Sequence, residues 1–247
     1  MRRNILITGA SSGLGEGMAR IFAARGHRLA LCARRTERLE KLKAELEADH
    51  PGVVVAVRAL DVNDHARVFE VFHALADELG GLDRVIVNAG LGKGAPVGSG
   101  NFEANRQTVQ TNFVGALAQC EAAMQIFRGA GDGHLVVVAS IQAVRGFPGT
   151  MSAYAASKAG VAALAEGIRC DVIGTPIKVT TLLPGYIRSE MTASVRGAPF
   201  MVDNETGSRA LVEAIEKEVA TAAVPWQWKL VGPALKRLPL SVIRRVV

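Results

Sequence analysis

Tyr154, Lys158 and Ser140 bring together a phenol, an ammonium and a hydroxyl, the groups that redox chemistry at a carbonyl carbon requires. If residues 151–172 are helical, Tyr154 and Lys158 stand four apart on one face and address one ligand together. Hydride addition to a carbonyl builds negative charge on its oxygen, so the site must supply a proton and a hydrogen bond there. Tyr154 is the candidate acid. A free phenol has a pKa of about 10, and bringing it to about 7 takes roughly 4 kcal/mol of preferential phenolate stabilisation, to which an ammonium one turn away contributes. In isolation a Tyr and a Lys at this spacing mark an ordinary packed or solvated helix face. The rest of the sequence gives the pair its weight.

A second constellation, Thr8-Gly9-Ala10-Ser11-Ser12-Gly13-Leu14-Gly15, follows an apolar run directly and opens a helix predicted to reach about Arg25. Gly9 permits a tight turn, Gly13 lets the backbone approach a pyrophosphate, and Gly15 allows close packing. The helix start offers unpaired N–H groups and a favourable dipole. A phosphate-bearing ligand is the expected occupant, held by Gly9, Ser11, Ser12, Gly13, Leu14 and Gly15.

About 20 residues past such glycines, a cofactor with a free 2'-hydroxyl usually meets an acidic side chain. Here the sequence is Cys32-Ala33-Arg34-Arg35. The carboxylate that would repel a 2'-phosphate is missing, and a guanidinium able to bind it with paired hydrogen bonds stands in its place. NADP is therefore expected rather than NAD, with Arg34 and Arg35 as its selectors. The competing reading is that both arginines merely flank the next helix, where positive charge opposes the dipole. Asp61 and Val62, and Asn88, Ala89 and Gly90, sit at strand ends that would flank the adenine and the ribose. A turn role alone would account for them as well.

These residues need a scaffold, and the apolar runs at 4–8, 28–32, 53–58, 84–87, 135–139 and 178–183 read as strands buried on both faces, with helix-length segments between them. Residues 36–48, with Leu39, Leu42 and Leu46 on one face, form an amphipathic crossover helix. The alternation predicts an α/β protein with a doubly wound parallel sheet of about seven strands. The 247 residues suffice for one large domain. We place it at 1–224, followed by a basic amphipathic tail at 225–247.

The net charge of +6 is not a nucleic-acid signature. Five of the positive charges (Lys229, Lys236, Arg237, Arg244 and Arg245) follow Trp226, where no acidic residue offsets them, and no basic face interleaved with aromatics is legible. Cys32, Cys120 and Cys170 are far apart and each lies in an apolar run. Buried free thiols in a reducing compartment are expected, with no disulfide and no metal. Met1-Arg2-Arg3 before Ile5-Leu6-Ile7 is too soon interrupted, from Thr8 to Gly13, to be a secretory signal, so a cytoplasmic protein is expected. No stretch approaches the roughly 18 apolar residues of a membrane span.

With the glycine turn, Asn88-Ala89-Gly90, Ser140, the Tyr154 and Lys158 pair, and Pro184-Gly185 in this order, the chain resembles the short-chain dehydrogenase/reductase family from residue 4 to about 218. The resemblance implies a Rossmann-type fold and an NADP(H)-dependent oxidoreductase acting between a carbonyl and a secondary alcohol. It implies Asn112, Ser140, Tyr154 and Lys158 as a catalytic tetrad. Lys158 would also hold the nicotinamide ribose, Ser140 would bond the substrate oxygen, and Asn112 would hold a water linking Lys158 to solvent. Tyr154, Lys158, Pro184, Gly185, Ile187 and Ser189 would lie beside the nicotinamide. Asn112 also has its own argument: an asparagine inside an apolar helical pattern is a mediocre helix former, and a buried amide needs partners.

Many members of that family end in a final strand and a glycine-rich terminus that supports tetramers. This chain reads instead as lacking that ending, which favours a homodimer over a tetramer. Val231, Leu235, Leu238 and Val242 recur near helical spacing after Trp226 and Trp228. Such a basic amphipathic stretch suits peripheral contact with the inner membrane surface, or else packs on its own domain or a partner subunit. The substrate pocket is expected between the loop after Gly90, residues 141–147 and residues 186–201. Leu91, Ile141, Val144, Phe147, Tyr186 and Met191 give it an apolar majority over Gln142, Arg145 and Arg188, which points to an apolar ketone, aldehyde or secondary alcohol. The alternative of another class is a non-catalytic dinucleotide-binding regulatory or scaffold protein. The complete Asn, Ser, Tyr and Lys set argues against it.

Overall fold

The structure, a computed structural model, describes residues 2–193 and 195–246. Met1, which begins the charged start considered above, Ser194 in the 186–201 segment and Val247 of the tail lie outside the described residues, as do the side chains of Arg245 and Val246. Seven strands, β1 (Asn4–Thr8), β2 (Arg28–Ala33), β3 (Val55–Ala59), β4 (Arg84–Val87), β5 (His134–Val138), β6 (Lys178–Pro184) and β7 (Thr221–Val224), form one parallel sheet. Its order is β3-β2-β1-β4-β5-β6-β7. The chain thus winds outward from β1 in both directions, which leaves a crevice between β1 and β4 at the C-terminal strand ends.

The helices explain why the strands show no polar alternation. Ile5 and Ile7 face α1 (Gly13–Ala24), α2 (Thr36–Asp49) and α7 (Asn204–Glu216), and share a core with Phe22, Leu39 and Leu211. Leu6 points the other way, into a core built with α3 (His65–Leu79), α5 (Gly115–Ala130) and α6 (Ser152–Asp171) around Phe72 and Phe127. All of these side chains are fully buried, each contributing about 1.5–3 kcal/mol of transfer free energy. Local chemistry sets the helix ends: the Asp64 carboxylate accepts from the Arg67 N–H to start α3, and Gly80, left-handed at φ 74°, stops it. α4 (Phe102–Val109) runs through a single π-type turn at Gln110–Val114 into α5.

Three expectations change. Strand β3 starts at Val55, because the Val53 N–H is taken by the His50 carbonyl in a turn. The final strand thought missing is present as β7, paired with β6 from Thr181↔Thr221 to Pro184↔Val224; its four short residues carry no strong strand pattern. Cys170 is exposed on α6, while Cys32 and Cys120 are buried and their thiols are pushed up to about 12 by desolvation.

Beyond β7 the tail forms α8 (Trp228–Arg237) and α9 (Leu240–Val246). Trp228 is only 4% exposed and packs edge-on against Phe200 and beside Tyr186, with ring centroids 5.6 and 6.0 Å away. Arg145 donates to the Leu235 and Leu238 carbonyls at 2.5 and 2.7 Å and holds the end of α8. The tail therefore lies on its own domain, and one of the two tryptophans that suited a membrane surface is turned inward. Trp226, Leu230 and Leu240 remain exposed. No helix among the described residues is long and apolar enough to cross a membrane.

Candidate active site

The crevice is a cleft of about 440 Å³ that runs from Arg34 and Arg35 at one end to Ser140, Tyr154 and Lys158 at the other. Its floor is the β1–α1 turn. Gly9 and Gly13 are left-handed at φ 65° and 60°, and a Cβ on Gly9 would stand 2.9 Å from Ala89 Cα. A Cβ on Gly15 would lie 2.5 Å from the Gly9 carbonyl oxygen, so the turn can close only on glycine. Ser12 begins α1 without a side-chain cap, so the first-turn N–H groups face the cleft with the positive end of the helix dipole. A cleft of this size, floored by a cradle that a single Cβ would fill, fits a dinucleotide.

Asn88 works as a buttress of that cradle. Its backbone N–H and that of Ala89 donate to the Thr8 hydroxyl at 3.0 and 3.1 Å, and its side-chain amide donates to the Thr8 carbonyl at 2.9 Å. The turn role that the sequence left open is the one these contacts describe, although Asn88, Ala89 and Gly90 also line the cleft. Asp61 and Val62 line it too, with the Asp61 carboxylate accepting from Asn63 at 3.0 Å.

The two arginines separate. Arg34 is exposed at the rim, whereas Arg35 turns inward and donates to the hydroxyls of Ser12 at 2.6 Å and Ser11 at 3.3 Å. Arg38, which the sequence reading passed over, stands beside Arg35 in the first turn of α2. Both donate to Glu190, at 2.9 and 2.5 Å, and these guanidinium groups hold the carboxylate down to about 2, Arg38 more than Arg35. Glu190 belongs to the segment after β6, where Pro184, Gly185, Ile187 and Ser189 also line the cleft. Ile187 is 3% exposed, seated where a Cβ on Gly207 would be. Ser189 lies over the glycine turn, 3.3 Å from where a Gly13 Cβ would be.

At the far end, α6 presents Tyr154 and Lys158 one turn apart. Lys158, 6% exposed, donates to the Val138 carbonyl at 2.9 Å, and burial lowers its ammonium to about 8. The Tyr154 pKa is raised, chiefly by burial, against the opposing pull of the Ser140 hydroxyl. In the cleft as it stands, burial thus sets the direction, and the downward pull on the phenol comes from Ser140. Ser140 lies two residues past β5 and accepts from the Gln142 N–H at 3.1 Å, which fixes its hydroxyl at the start of the short turn Ile141–Val144. Asn112 is 1% exposed within the π-type turn. Its amide oxygen accepts from the Leu91 N–H at 2.7 Å, and its amide nitrogen donates to the Leu91 carbonyl at 2.9 Å and to Ser157 at 3.2 Å. Gly90 marks where it meets Lys158: a Cβ there would lie 3.3 Å from the Asn112 oxygen and 3.5 Å from the Lys158 ammonium.

Some side chains assigned to the pocket do other work. Arg145 binds the tail, and Ile141 with Val144 lies beneath Gly232 of α8. Arg38, Glu190 and Ser157 were not assigned to the site, and Trp228 was read only as part of the tail. Arg38 had a signal, three residues past Arg35 and hence on the same helix face. Glu190 and Trp228 had none, because their partners are remote in sequence.

A doubly wound sheet with this cradle and this group of Ser, Tyr and Lys defines an oxidoreductase of the dinucleotide-binding class. The chain matches the short-chain dehydrogenase family over residues 3–199, and it belongs to that family, whose members bind a nicotinamide dinucleotide and act on small molecules. It is 57% identical over 245 residues to an uncharacterized oxidoreductase of Mycobacterium tuberculosis, covering 99% of this chain and 97% of the other. Among solved structures it is similar to levodione reductase, with a TM-score of 0.82 and 26% identity over 92% of this chain and 98% of that one. It is also similar to an alcohol dehydrogenase from the archaeon Thermococcus sibiricus complexed with 5-hydroxy-NADP, with a TM-score of 0.80 and 27% identity over 90% of this chain and 94% of that one.

Proposed function

We propose that the protein is an NADP(H)-dependent oxidoreductase that interconverts an apolar carbonyl compound and its secondary alcohol, with Tyr154 as acid and base. The observation that carries this reading is the cleft itself, which joins an arginine and two serine hydroxyls at one end to Ser140, Tyr154 and Lys158 at the other. Arg35, with Ser11 and Ser12, matches the fork of donors that a 2'-phosphate needs. The similarity to an enzyme described as complexed with 5-hydroxy-NADP supports the same preference.

A reduced nicotinamide, when bound, supplies the hydride. Gly9, Ser11, Ser12, Gly13, Leu14 and Gly15 hold its phosphates, and Arg34 and Arg35 attend the adenosine end. Asp61, Val62, Asn88, Ala89 and Gly90 flank the adenosine, and Pro184, Gly185, Ile187 and Ser189 wall the nicotinamide. The raised Tyr154 pKa keeps the phenol protonated, the form in which it can deliver a proton to the substrate oxygen. Ser140 bonds the same oxygen as charge develops there. Lys158, charged at neutral pH with its pKa at about 8, stabilises the phenolate left behind. Asn112 orders the Leu91 backbone and stands with Lys158 at Gly90, suited to hold a water for reprotonation. Leu91, Tyr186 and Met191 favour an apolar substrate. A homodimer is the proposed assembly, with the exposed Trp226, Leu230 and Leu240 as apolar surface for the contact.

The test is cofactor oxidation by the full chain with NADPH and with NADH, across ketones and aldehydes of increasing apolar size. Turnover faster with NADPH and rising with apolar size is expected. Equal rates with the two cofactors would refute the NADP assignment, and tight NADPH binding without turnover on any carbonyl would refute the catalytic one.

A further inference from the structure

Glu190 closes the adenosine end of the cleft from the opposite side. It reaches across 155 and 152 residues of sequence to Arg35 and Arg38, and both guanidinium groups bond its two carboxylate oxygens. The arginines have reason to seek an anion, since two cations at the start of α2 oppose that helix's dipole. The same Arg35 also bonds Ser11 and Ser12 of the cradle, so the carboxylate sits in the donor fork assigned to the 2'-phosphate. It is held there by its own segment, where Ser189 caps the short turn at Glu190–Thr192.

We propose that Glu190 is a displaceable occupant of the 2'-phosphate site, a latch that ties the segment after β6 to Arg35 and Arg38 until a 2'-phosphorylated nucleotide takes its place. The proposal rests on the NADP reading and adds Arg38 as a second phosphate-binding cation. A phosphate bearing about −1.5 to −2 charge and three acceptor oxygens outcompetes one carboxylate for two guanidinium forks. A 2'-hydroxyl does not. The release is therefore selective: NADPH opens the latch, and NADH leaves it closed. Opening frees the segment that carries Met191, whose side chain lies against Gly92 on the substrate side of the cleft. Recognition of one phosphate is thereby coupled to access at the reacting end.

The test is equilibrium titration of the full chain with NADPH and NADH, read by nicotinamide fluorescence, for wild type, E190Q and the double variant R35Q/R38Q. In E190Q, NADPH should bind about three- to tenfold more tightly, the scale of two exposed ion pairs removed as competitors, with NADH changed by less than about twofold. The double variant should lose the preference for NADPH. A wild type that does not prefer NADPH, unaltered in the double variant, refutes the NADP reading itself. A preference abolished in the double variant, combined with E190Q that binds NADPH no more tightly or tightens both cofactors equally, overturns the latch alone. A second measurement needs no variant: adenosine 2',5'-bisphosphate should speed tryptic cleavage at Arg188 and Arg196 relative to ADP, and equal rates overturn the latch.

Discussion

The Lys158 ammonium donates to the Val138 carbonyl across 2.9 Å, from the first turns of α6 to the C-terminal end of β5. This bond fixes the cation beneath the mouth of the cleft and removes it from water. Burial lowers its pKa from 10.5 to about 8, so the unfolded chain binds more protons than the folded one between those values. The folded state therefore gains stability as pH rises from about 8 towards 10.5, and the penalty is complete below about 8. We expect Lys158→Met to be about 1–3 kcal/mol more stable than wild type at pH 7, with the gap closing by pH 10.5, in urea unfolding at both pH values. The same variant should bind the nicotinamide cofactor more weakly and lose the wild-type pH profile. Unaltered affinity and profile together would remove Lys158 from the site.

Tyr154→Phe removes one oxygen and leaves the ring. Loss of a general acid typically costs 10² to 10⁴ in rate, and we expect about that fall in turnover with cofactor affinity kept within about threefold. Stopped-flow oxidation of NADPH alongside a fluorescence titration separates the two. A mutant with more than about a tenth of wild-type activity would exclude Tyr154 as the acid.

Gly185 has its place because Trp228 occupies the space of its missing side chain, against the indole nitrogen. A methyl group there overpacks the contact, at a cost of about 1–3 kcal/mol. Gly185→Ala should loosen α8, shift tryptophan emission to longer wavelength and expose Lys229 and Lys236 to trypsin. Emission and digestion identical to wild type would show that the tail is not seated on Gly185.

His134 opens β5 and is fully buried. It accepts from Arg84 at 2.8 Å through Nδ1 and meets the Thr180 hydroxyl at 2.9 Å through Nε2. Desolvation first, then the positive charges of Arg84 and Arg2, push its pKa down to about 2. The unfolded chain therefore takes up a proton below about 6.5 that the folded one refuses, and stability falls with pH from there, by up to about 1.4 kcal/mol per pH unit. His134→Gln should show a flatter acid limb in unfolding midpoints between pH 7 and 4. Parallel limbs would count against a neutral buried imidazole.

Much of the site was legible because its requirements are local. A turn that must be left-handed at Gly9 and Gly13 demands glycine, and Tyr154 and Lys158 face one way because a helix repeats every 3.6 residues. Asn112 stood out for a similar reason, as an amide inside an apolar helix. Its partners were not legible, since the Leu91 backbone it bonds belongs to another loop. Cys170 was misplaced because its apolar neighbours in sequence lie on several faces of α6.

The sequence by itself determined the parallel α/β class and its first six strands, the cradle and the shared helix face of Tyr154 and Lys158, all of them products of backbone conformation and burial within a few residues. Only the tertiary structure decided which arginine turns inward, that Arg145 serves the tail, that Trp228 is buried and that Glu190 spans the cleft. Those are side-chain contacts to partners 23 to 155 positions away, and burial or pairing of a charge depends on what the folded chain brings against it, which no local spacing encodes.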